Sequence, residues 1–357
     1  MSTVAVLKTS PDTVLDDYRQ LMELARYREF LPDQYDTLIK LNLSWTKFFP
    51  ACSSAPWQLE GVVRTMVEGG WNPSKLIPIE NKTVVTNPRL GAVNNKWMPV
   101  LDKYGLTFVP LPEVEWIRYE FKSKLLKLND IFPEGIQIPK MFIGKNILHL
   151  PTVKTHGHST TTGAIKNAFG GLLKEVRHYA HKYIHEVLVD LLLMQRELHP
   201  GVFAVMDGTV CGDGAGPRTM DPKVKNYILA SGDSVAIDAI AAKMMGFDPM
   251  SIAYIRMATE MGLGCGDPKE IEVVGEDVSE VNFGFKTKRS LVIAGDQMIR
   301  KGWLQPLEKI LLHSPLVVWA PLASTIYHDW YWYPTKGRRI IREYMKSEWG
   351  PVWDKYK

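Results

Sequence analysis

The run Lys154-Thr-His156-Gly-His158 brings together side chains that could do chemistry. Alternate residues of a strand share one face, so an extended run would direct Lys154, His156 and His158 to the same side. Two imidazoles beside an ammonium group suit anion binding, acid–base catalysis or metal ligation. Solvated polar residues at the end of a strand would give the same pattern, so the run alone leaves both interpretations open.

A second group of histidines follows on a predicted helix. An arginine is followed by imidazoles at positions i, i+3 and i+7: Arg177, His178, His181 and His185. The three histidines share one helical face, which continues into Leu188 and Leu192 and is therefore predicted to face the core. Buried imidazoles need hydrogen-bond partners. The pattern predicts either separately satisfied core histidines or one pocket shared with the Lys154 run.

A glycine-rich stretch follows the predicted strand 202–206. It begins with Asp207 and continues to residue 217. An acid at the carboxyl end of a strand, followed by such a loop, is typical of ligand sites in open α/β sheets. Gly214 and Gly216 could offer backbone N–H groups to an anion, although a tight turn requires glycines in the same way.

Other polar residues lie at predicted strand ends and helix starts. Lys40 and Asn42 close an early strand. Asp233 is the predicted N-cap of the next helix, and Asp238, one turn further on, faces either the site or solvent. Nothing near Cys52 in the sequence would lower the pKa of its thiol, so a buried, unreactive cysteine is the favoured interpretation.

Buried-strand and helix patterns alternate along most of the chain. Parallel strands covered on both faces form continuous apolar runs, and such runs alternate here with segments of helical length. The pattern predicts an α/β fold with one or more mostly parallel sheets covered by helices. Four segments follow: an α/β unit over 1–112, an insertion or crossover over 113–140, a second α/β unit over 141–285, and an aromatic-rich, partly helical extension over 286–357.

Composition narrows the class of protein. The 357 residues carry 43 basic and 39 acidic side chains, a net charge of +4. Seven basic and three acidic residues lie between Lys336 and Lys357, so this tail accounts for the whole excess. The net charge of the whole chain is small and no nucleic-acid-binding motif is present, which argues against a nucleic-acid partner. Three widely spaced cysteines and no visible secretory signal favour a cytoplasmic protein without a disulfide framework.

The C-terminal segment has two interpretations. Residues 303–357 hold six of the eleven tryptophans, and an 18-residue stretch from Ile310 to Tyr327 contains no Asp, Glu, Lys or Arg. An uncharged stretch, then Trp and Tyr, then cations is the order expected at an anionic membrane surface. Pro315 and Pro321 argue against a straight membrane-spanning helix. The alternative is a lid or dimer surface packed on the main body.

Several blocks in order resemble the prokaryotic family called domain of unknown function 362. They are KLNLS, LPTVKTHGHSTTTGAIKNAFGGLL, RHYAHKYIHEVLVDL, AVMDGTVCGDGAGP, ILASGDSVAIDAIAAKMMG and GLGCGDPKEIEVVGE, within residues 35–276. The resemblance implies an α/β fold and a distant likeness to the nickel-pincer lactate racemases, which use Lys and His in a cleft. It places the family's polar signature at Lys40, Asn42, Lys154, His156, Lys166, Asn167, His181, Asp207, Gly214, Gly216, Pro217, Asp233 and Asp238. Many family members carry ferredoxin-type clusters, but this chain lacks the CxxCxxC motif and can build no iron–sulfur cluster from its own cysteines.

The residues predict an enzyme that uses acid–base chemistry, with or without a metal. The resemblance implies chemistry of the isomerase or racemase kind. The predicted catalytic residues are His156, His181, Lys154 and Asp207. The predicted substrate-binding residues are Lys40, Asn42, Lys166, Asn167, Arg177, Gly214 and Gly216. The predicted ligands of a divalent metal are His156, His158, His178 and Asp238.

The predicted ligand is a small anionic or lipid-like molecule with a carboxylate or phosphate group. The predicted location is cytoplasmic, peripheral at the inner face of the membrane, with residues 303–357 on an anionic surface. The alternative is a non-catalytic, membrane-associated binding or partner module.

Overall fold

A ten-stranded mixed sheet organises the protein. The computed structural model describes residues 2–83, 85–174, 180–288, 295, 298–299 and 319–357. The strands of the large sheet are β1 (Ser2–Lys8), β2 (Thr37–Lys40), β3 (Leu76–Glu80), β4 (Val109–Pro110), β7 (Asn146–His149), β8 (Thr152–His156), β9 (Thr160–Thr161), β10 (Val202–Ala215), β11 (Thr219–Ser231) and β12 (Ile271–Gly275). A separate hairpin is formed by β5 (Trp116–Tyr119) and β6 (Ile136–Pro139).

The sheet order is β12-β1-β11-β10-β7-β2-β3-β4, with β8 beside β10 and β9 beside β8. Five neighbouring pairs in this order are parallel, and β11 runs antiparallel to both β1 and β10. The predicted α/β fold with a mostly parallel sheet is therefore confirmed. Strands from both predicted α/β units belong to this one sheet, while the predicted segment boundaries themselves stay predictions.

Helices cover both faces of the sheet. They are α1 (Val14–Leu24), α2 (Tyr27–Phe30), α3 (Pro56–Glu68), α4 (Pro88–Asn94), α5 (Met98–Tyr104), α6 (Leu128–Ile131), α7 (Gly163–Leu172), α8 (Ile184–Leu198), α9 (Ser234–Met245) and α10 (Ala253–Glu260). Side chains of α7 to α10 form one core, and those of α1, α3 and α5 form the other. Val4 and Val6 of β1 enter the first core, whereas Ala5 and Leu7 enter the second. This division explains why the strand is an uninterrupted apolar run.

The glycine-rich stretch 207–217 is largely a strand, so the predicted loop is wrong there. β10 continues to Ala215, pairs with β11 along its length and also pairs with β8. A strand flanked by two partners satisfies its backbone groups, which a free loop would leave to solvent. A Cβ atom on Gly216 would lie 1.9 Å from the Thr155 carbonyl oxygen, so the glycine permits close contact between β8 and the hairpin.

The C-terminal extension is partly helical, as predicted. Its elements are α11 (Trp319–Thr325), a π-helix (Ile326–Gly337), α12 (Arg338–Tyr344) and α13 (Trp349–Lys355). Trp349 and Trp353 pack in the same core as α1 and α3. In the described ranges of the chain, no helix combines the length and apolar character that a membrane crossing requires.

Aromatic contacts fasten this extension to the body. The rings of Phe48 and Trp353 stack with centroids 3.7 Å apart. Trp349 lies 4.9 Å from Trp57, and its indole N–H donates to Asn226 Oδ1 at 2.8 Å. The π-helix, α12 and α13 each contribute buried side chains to the second core, among them Trp332, Tyr344 and Trp349.

Replacing Trp349 by alanine tests this integration. Because the indole is fully buried and hydrogen-bonded, we expect Trp349→Ala to lower the free energy of unfolding by about 3–5 kcal/mol. Trp330→Ala is the matched control, since that ring is 70% exposed. Urea denaturation of full-length protein gives both values. Equal, small losses for the two variants would contradict the proposed role of α13.

Candidate functional site

Three imidazoles meet at the carboxyl end of β8. His156 is buried and accepts a hydrogen bond at Nδ1 from the His158 backbone N–H, at 3.2 Å. The His158 ring centroid lies 5.8 Å from that of His156 and 5.4 Å from that of His181. The structure therefore brings the strand histidines and the later helical segment together. We call His156, His158 and His181 the histidine cluster. Arg177 and His178 lie outside the described residues.

Positive charge surrounds His156. Burial lowers the pKa of its imidazole well below the usual value, and the charges of Lys166, His158, His181 and Lys154 lower that pKa further. His156 is consequently a neutral imidazole at neutral pH. Lys166 lies on α7, with Nζ 5.6 Å from the centre of the Phe169 ring. Because Nδ1 of the neutral His156 ring accepts from the His158 N–H, its proton lies on Nε2, and this donor among basic groups suits an anionic ligand.

Lys154 is a buried cation held by neutral oxygens. Its Nζ donates to Asn42 Oδ1 at 2.5 Å, to Ser44 Oγ at 3.0 Å and to the Cys52 carbonyl at 2.5 Å. Burial lowers the pKa of this ammonium group to about 8. Asn42, a predicted substrate-binding residue, contacts Lys154 and helps to orient it. The Cys52 thiol is buried as expected, and burial raises its pKa to about 11.

Lys40 lies in an ion pair beside this group. Its Nζ is 2.7 Å from Glu80 Oε1, and both side chains are almost fully buried. The Lys40 carbonyl accepts from Asn167 Nδ2 at 3.0 Å. Lys40 and Asn167 therefore connect the end of β2 to α7. Glu80 was missed by sequence reasoning, although it ends β3, so the strand-end rule used for Lys40 would have found it.

His149 and Gln195 form a second pair that sequence reasoning missed. His149 Nε2 lies 2.6 Å from Gln195 Oε1, and burial lowers the imidazole pKa to about 3. His149 Nδ1 also lies 3.4 Å from Asn167 Nδ2. This histidine is a neutral linker between β7, α7 and α8. No local motif marks it, because Gln195 is 46 residues away in the chain.

Asp238 holds the start of α7. Its carboxylate accepts from the Ala164 N–H at 2.5 Å, the Ile165 N–H at 3.3 Å and the Tyr254 hydroxyl at 3.2 Å. Gly163 has φ +66°, and a Cβ atom there would lie 2.3 Å from the carboxylate. Asp238 thus positions the helix that carries Lys166. Burial raises the pKa of this carboxyl to about 7.

Asp207 lies apart from the histidine cluster. Its Oδ1 accepts from the Thr209 N–H at 2.8 Å. It lines a cavity of about 20 Å³ with Thr152, Tyr344 and Trp353, under the C-terminal helices. Burial raises its pKa to about 6. The predicted catalytic role of Asp207 stays a prediction.

The two glycines predicted to bind an anion lie in the β10–β11 hairpin. The Gly214 carbonyl accepts from Thr155 Oγ1 at 2.9 Å and from the Lys288 N–H at 3.2 Å. Gly214 pairs with Met220 in the ladder, and Gly216 follows just beyond the end of β10. Their observed role is to bring the hairpin close to β8.

The predicted metal set stays a prediction. Asp238 already accepts three hydrogen bonds, and His178 lies outside the described residues. Within residues 2–83, 85–174, 180–288 and 319–357, no group of three or more His, Cys, Asp or Glu side chains is placed to hold a metal ion.

A family model described as a domain of unknown function (DUF362) matches residues 37–243. The chain belongs to the DUF362 family. The match runs from β2 into α9 and includes β8, α7 and the start of α8, which carry or adjoin the histidine cluster. A thylakoid-associated protein of Synechocystis sp. is 23% identical over 260 residues, which cover 70% of this chain and 76% of that relative. The C-terminal helices of this DUF362 protein lie outside the family match.

The raised pKa of Asp238 predicts a distinct pH dependence of stability. Its pKa is about 7 in the folded protein, against an ordinary value of 3.8 in an unfolded chain. Between these two pH values the folded state therefore holds a proton that the unfolded state has released. Stability is therefore lost as pH rises from about 4 to about 7, by at most about 1.4 kcal/mol per pH unit. Asp238→Asn removes this loss, so the variant gains stability relative to wild type over that interval.

Urea unfolding at pH 5, 6, 7 and 8 measures the difference. Asp277→Asn is the control, because the Ser279 N–H lowers the pKa of that exposed carboxyl and keeps it ionised throughout. If the free energies of unfolding of wild type and Asp238→Asn differ by the same amount from pH 5 to pH 8, the raised pKa of Asp238 is refuted.

Proposed function

We propose that this DUF362 protein is an enzyme that binds a carboxylate- or phosphate-bearing substrate at the histidine cluster and performs acid–base chemistry on it. One observation carries the proposal. After burial, every group that shifts the pKa of His156 is basic: Lys166, His158, His181 and Lys154. A site in which cations and imidazoles converge favours an anion and supplies groups that can transfer protons.

The roles follow from the contacts. His158 and His181 are the proposed proton-transfer groups, because both are less buried than His156 and their rings adjoin each other. Lys166 and Lys154 supply positive charge for the anionic group. Asp238 and Asn167 hold α7, and so hold Lys166, in place. A divalent metal held by His156 and His158 is an alternative form of the proposal, in which His181 is the proton-transfer group.

Single substitutions in the cluster test the site. We expect His158→Gln and His181→Gln each to weaken binding of inorganic phosphate or citrate at least tenfold, since each removes an imidazole that would contact the anion. Isothermal titration calorimetry on full-length protein gives the affinities. His199→Gln is the control, because that imidazole contacts the Lys145 carbonyl and lies outside the cluster.

Metal analysis of the same preparations, with His156→Ala added, tests the metal. Wild-type protein is expected to retain a divalent ion that His156→Ala loses. If anion affinity, metal content and cellular activity are the same in all variants, the enzyme proposal fails.

A second candidate function is a peripheral seat on the cytoplasmic face of a membrane, with or without catalysis. Four large apolar side chains on α11 and the π-helix are exposed: Leu322 (56%), Ile326 (44%), Trp330 (70%) and Tyr331 (57%). Exposed cations follow in the next turns, including Arg338 and Arg339. Apolar and aromatic groups beside cations suit an anionic bilayer surface. The thylakoid association of the Synechocystis relative supports this candidate.

Flotation with vesicles tests the membrane candidate. Full-length protein is expected to float with phosphatidylcholine vesicles that contain phosphatidylglycerol. A double variant, Leu322→Ser and Trp330→Ser, is expected to reduce the floated fraction at least fivefold, because exposed apolar area is lost. Leu90→Ser with Val93→Ser is the matched control, since those side chains are 56% and 60% exposed on α4. Wild-type protein that stays in solution with anionic vesicles would exclude this candidate.

A further inference from the structure

Arg218, at the tip of the β10–β11 hairpin, is held by the C-terminal extension. Its Nη2 donates to Ser324 Oγ at 2.8 Å. Its Nη1 is buried and has no hydrogen-bond partner among the described residues, although the residue as a whole is only partly buried. One face of the guanidinium therefore points inward with an unused donor. Buried donors without acceptors are rare because they have lost water and gained nothing in return.

No carboxylate among the described residues contacts Arg218: burial lowers the pKa of its guanidinium, and the charge of Asp329 opposes that shift from beyond ion-pair distance. Ser324 is neutral, and burial together with the charge of Arg218 lowers the pKa of the nearby His328 imidazole to about 4. Asp329 is engaged elsewhere, since its Oδ1 accepts from the Trp45 indole at 2.5 Å and lies 3.9 Å from Lys47 Nζ. Within the part of the chain that the structure describes, Arg218 forms no ion pair.

The Cys52 loop joins Arg218 to Lys154. The Cys52 thiol donates to the carbonyl of Pro217, the residue before Arg218, at 3.1 Å, and the Cys52 carbonyl accepts from Lys154. The charges of both Lys154 and Arg218 act on this thiol, which burial keeps protonated. Lys154 has three neutral oxygen acceptors and no carboxylate partner among the described residues. Two cations thus flank one neutral thiol.

We propose that Arg218 is an anion-binding residue, whose Nη1 donates directly to a carboxylate or phosphate oxygen of the ligand while Lys154 contributes charge from behind. This inference deepens the proposed function and rests on it in taking the ligand to be an anion. Guanidinium groups suit such oxygens because their donors lie in one plane. Lys154 already uses its three N–H groups, so it contributes electrostatically and Arg218 makes the hydrogen bond.

The assignment also gives the C-terminal extension a part in recognition. Ser324 fixes the guanidinium, and His328 Nδ1 lies 2.8 Å from the Ser324 carbonyl. α11 and the π-helix therefore orient Arg218, the proposed anion-binding residue. Sequence reasoning missed Arg218 because its partner Ser324 is 106 residues away.

Calorimetric titration of full-length protein with inorganic phosphate tests the role. We expect Arg218→Met to weaken phosphate binding at least tenfold and Arg218→Lys to weaken it less, because lysine keeps the charge and loses the planar donors. Without phosphate, Arg218→Met is expected to unfold at the same temperature as wild type or higher, since it removes a buried donor that has no acceptor among the described residues. Arg342→Met, an exposed cation of α12, is the matched control and is expected to retain wild-type affinity.

Two further arms separate the sources of the anion. Monomeric dihexanoyl phosphatidic acid that competes with phosphate identifies a lipid headgroup as an accepted ligand, and phosphate binding without such competition identifies a small soluble anion. Either result supports the role of Arg218 if the Arg218→Met variant no longer binds the anion concerned.

Two outcomes overturn it: Arg218→Met that binds phosphate within twofold of wild type, or wild-type protein that binds neither probe. If His181→Gln weakens binding but Arg218→Met does not, the proposed function stands and this inference fails. If Arg218→Met weakens binding and both histidine variants bind normally, the histidine cluster is excluded and Arg218 remains.

Discussion

The buried ammonium group of Lys154 is the interaction on which the site depends. Removing a cation from water is costly, and here the compensation comes from three oxygens, those of Asn42, Ser44 and the Cys52 carbonyl. All three lie on the segment that follows β2, so β8 and this segment must be placed together. The same charge lowers the pKa of His156. A structural contact and the electrostatic character of the site are therefore set by one side chain.

A second layer places α7 against this cation. Asp238 from α9 holds the first amides of α7, and Gly163 permits the close contact. Asn167, one helical turn along, reaches the Lys40 carbonyl at the end of β2. The helix is thus fixed at both its start and its middle by polar contacts with two other elements. Asp238, a predicted metal ligand, and Asn167, a predicted substrate-binding residue, both make contacts that hold the helix carrying Lys166.

Much of the fold could be predicted from the sequence, because the patterns that mark strands, helices and helix caps involve residues close together in the chain. Helix α9 (Ser234–Met245) begins directly after Asp233, the predicted N-cap, whose carboxylate accepts from the Val235 and Ala236 N–H groups. The stretch 207–217 was misjudged because its glycines indicate a loop locally, whereas pairing with β8 and β11 is decided by distant strands. A pocket shared by the two histidine runs, in which His158 and His181 meet, was one of the two predicted interpretations. The contacts of Glu80 with Lys40 and of Gln195 with His149 were not predicted, because each joins residues far apart in the sequence.

The C-terminal extension carries two kinds of aromatic side chain, and their division explains how one segment fits both sequence interpretations. Trp332, Trp349 and Trp353 are buried in the second core, whereas Trp330 and Tyr331 are exposed. A segment that only closed the body would gain nothing from exposing the latter pair, since each leaves apolar area in water. A segment that only met a membrane would not need the buried three. One face of the extension therefore packs on the body, and its other face is exposed to solvent. Because Ser324 of the extension also contacts Arg218, the exposed face adjoins the tip of the β10–β11 hairpin.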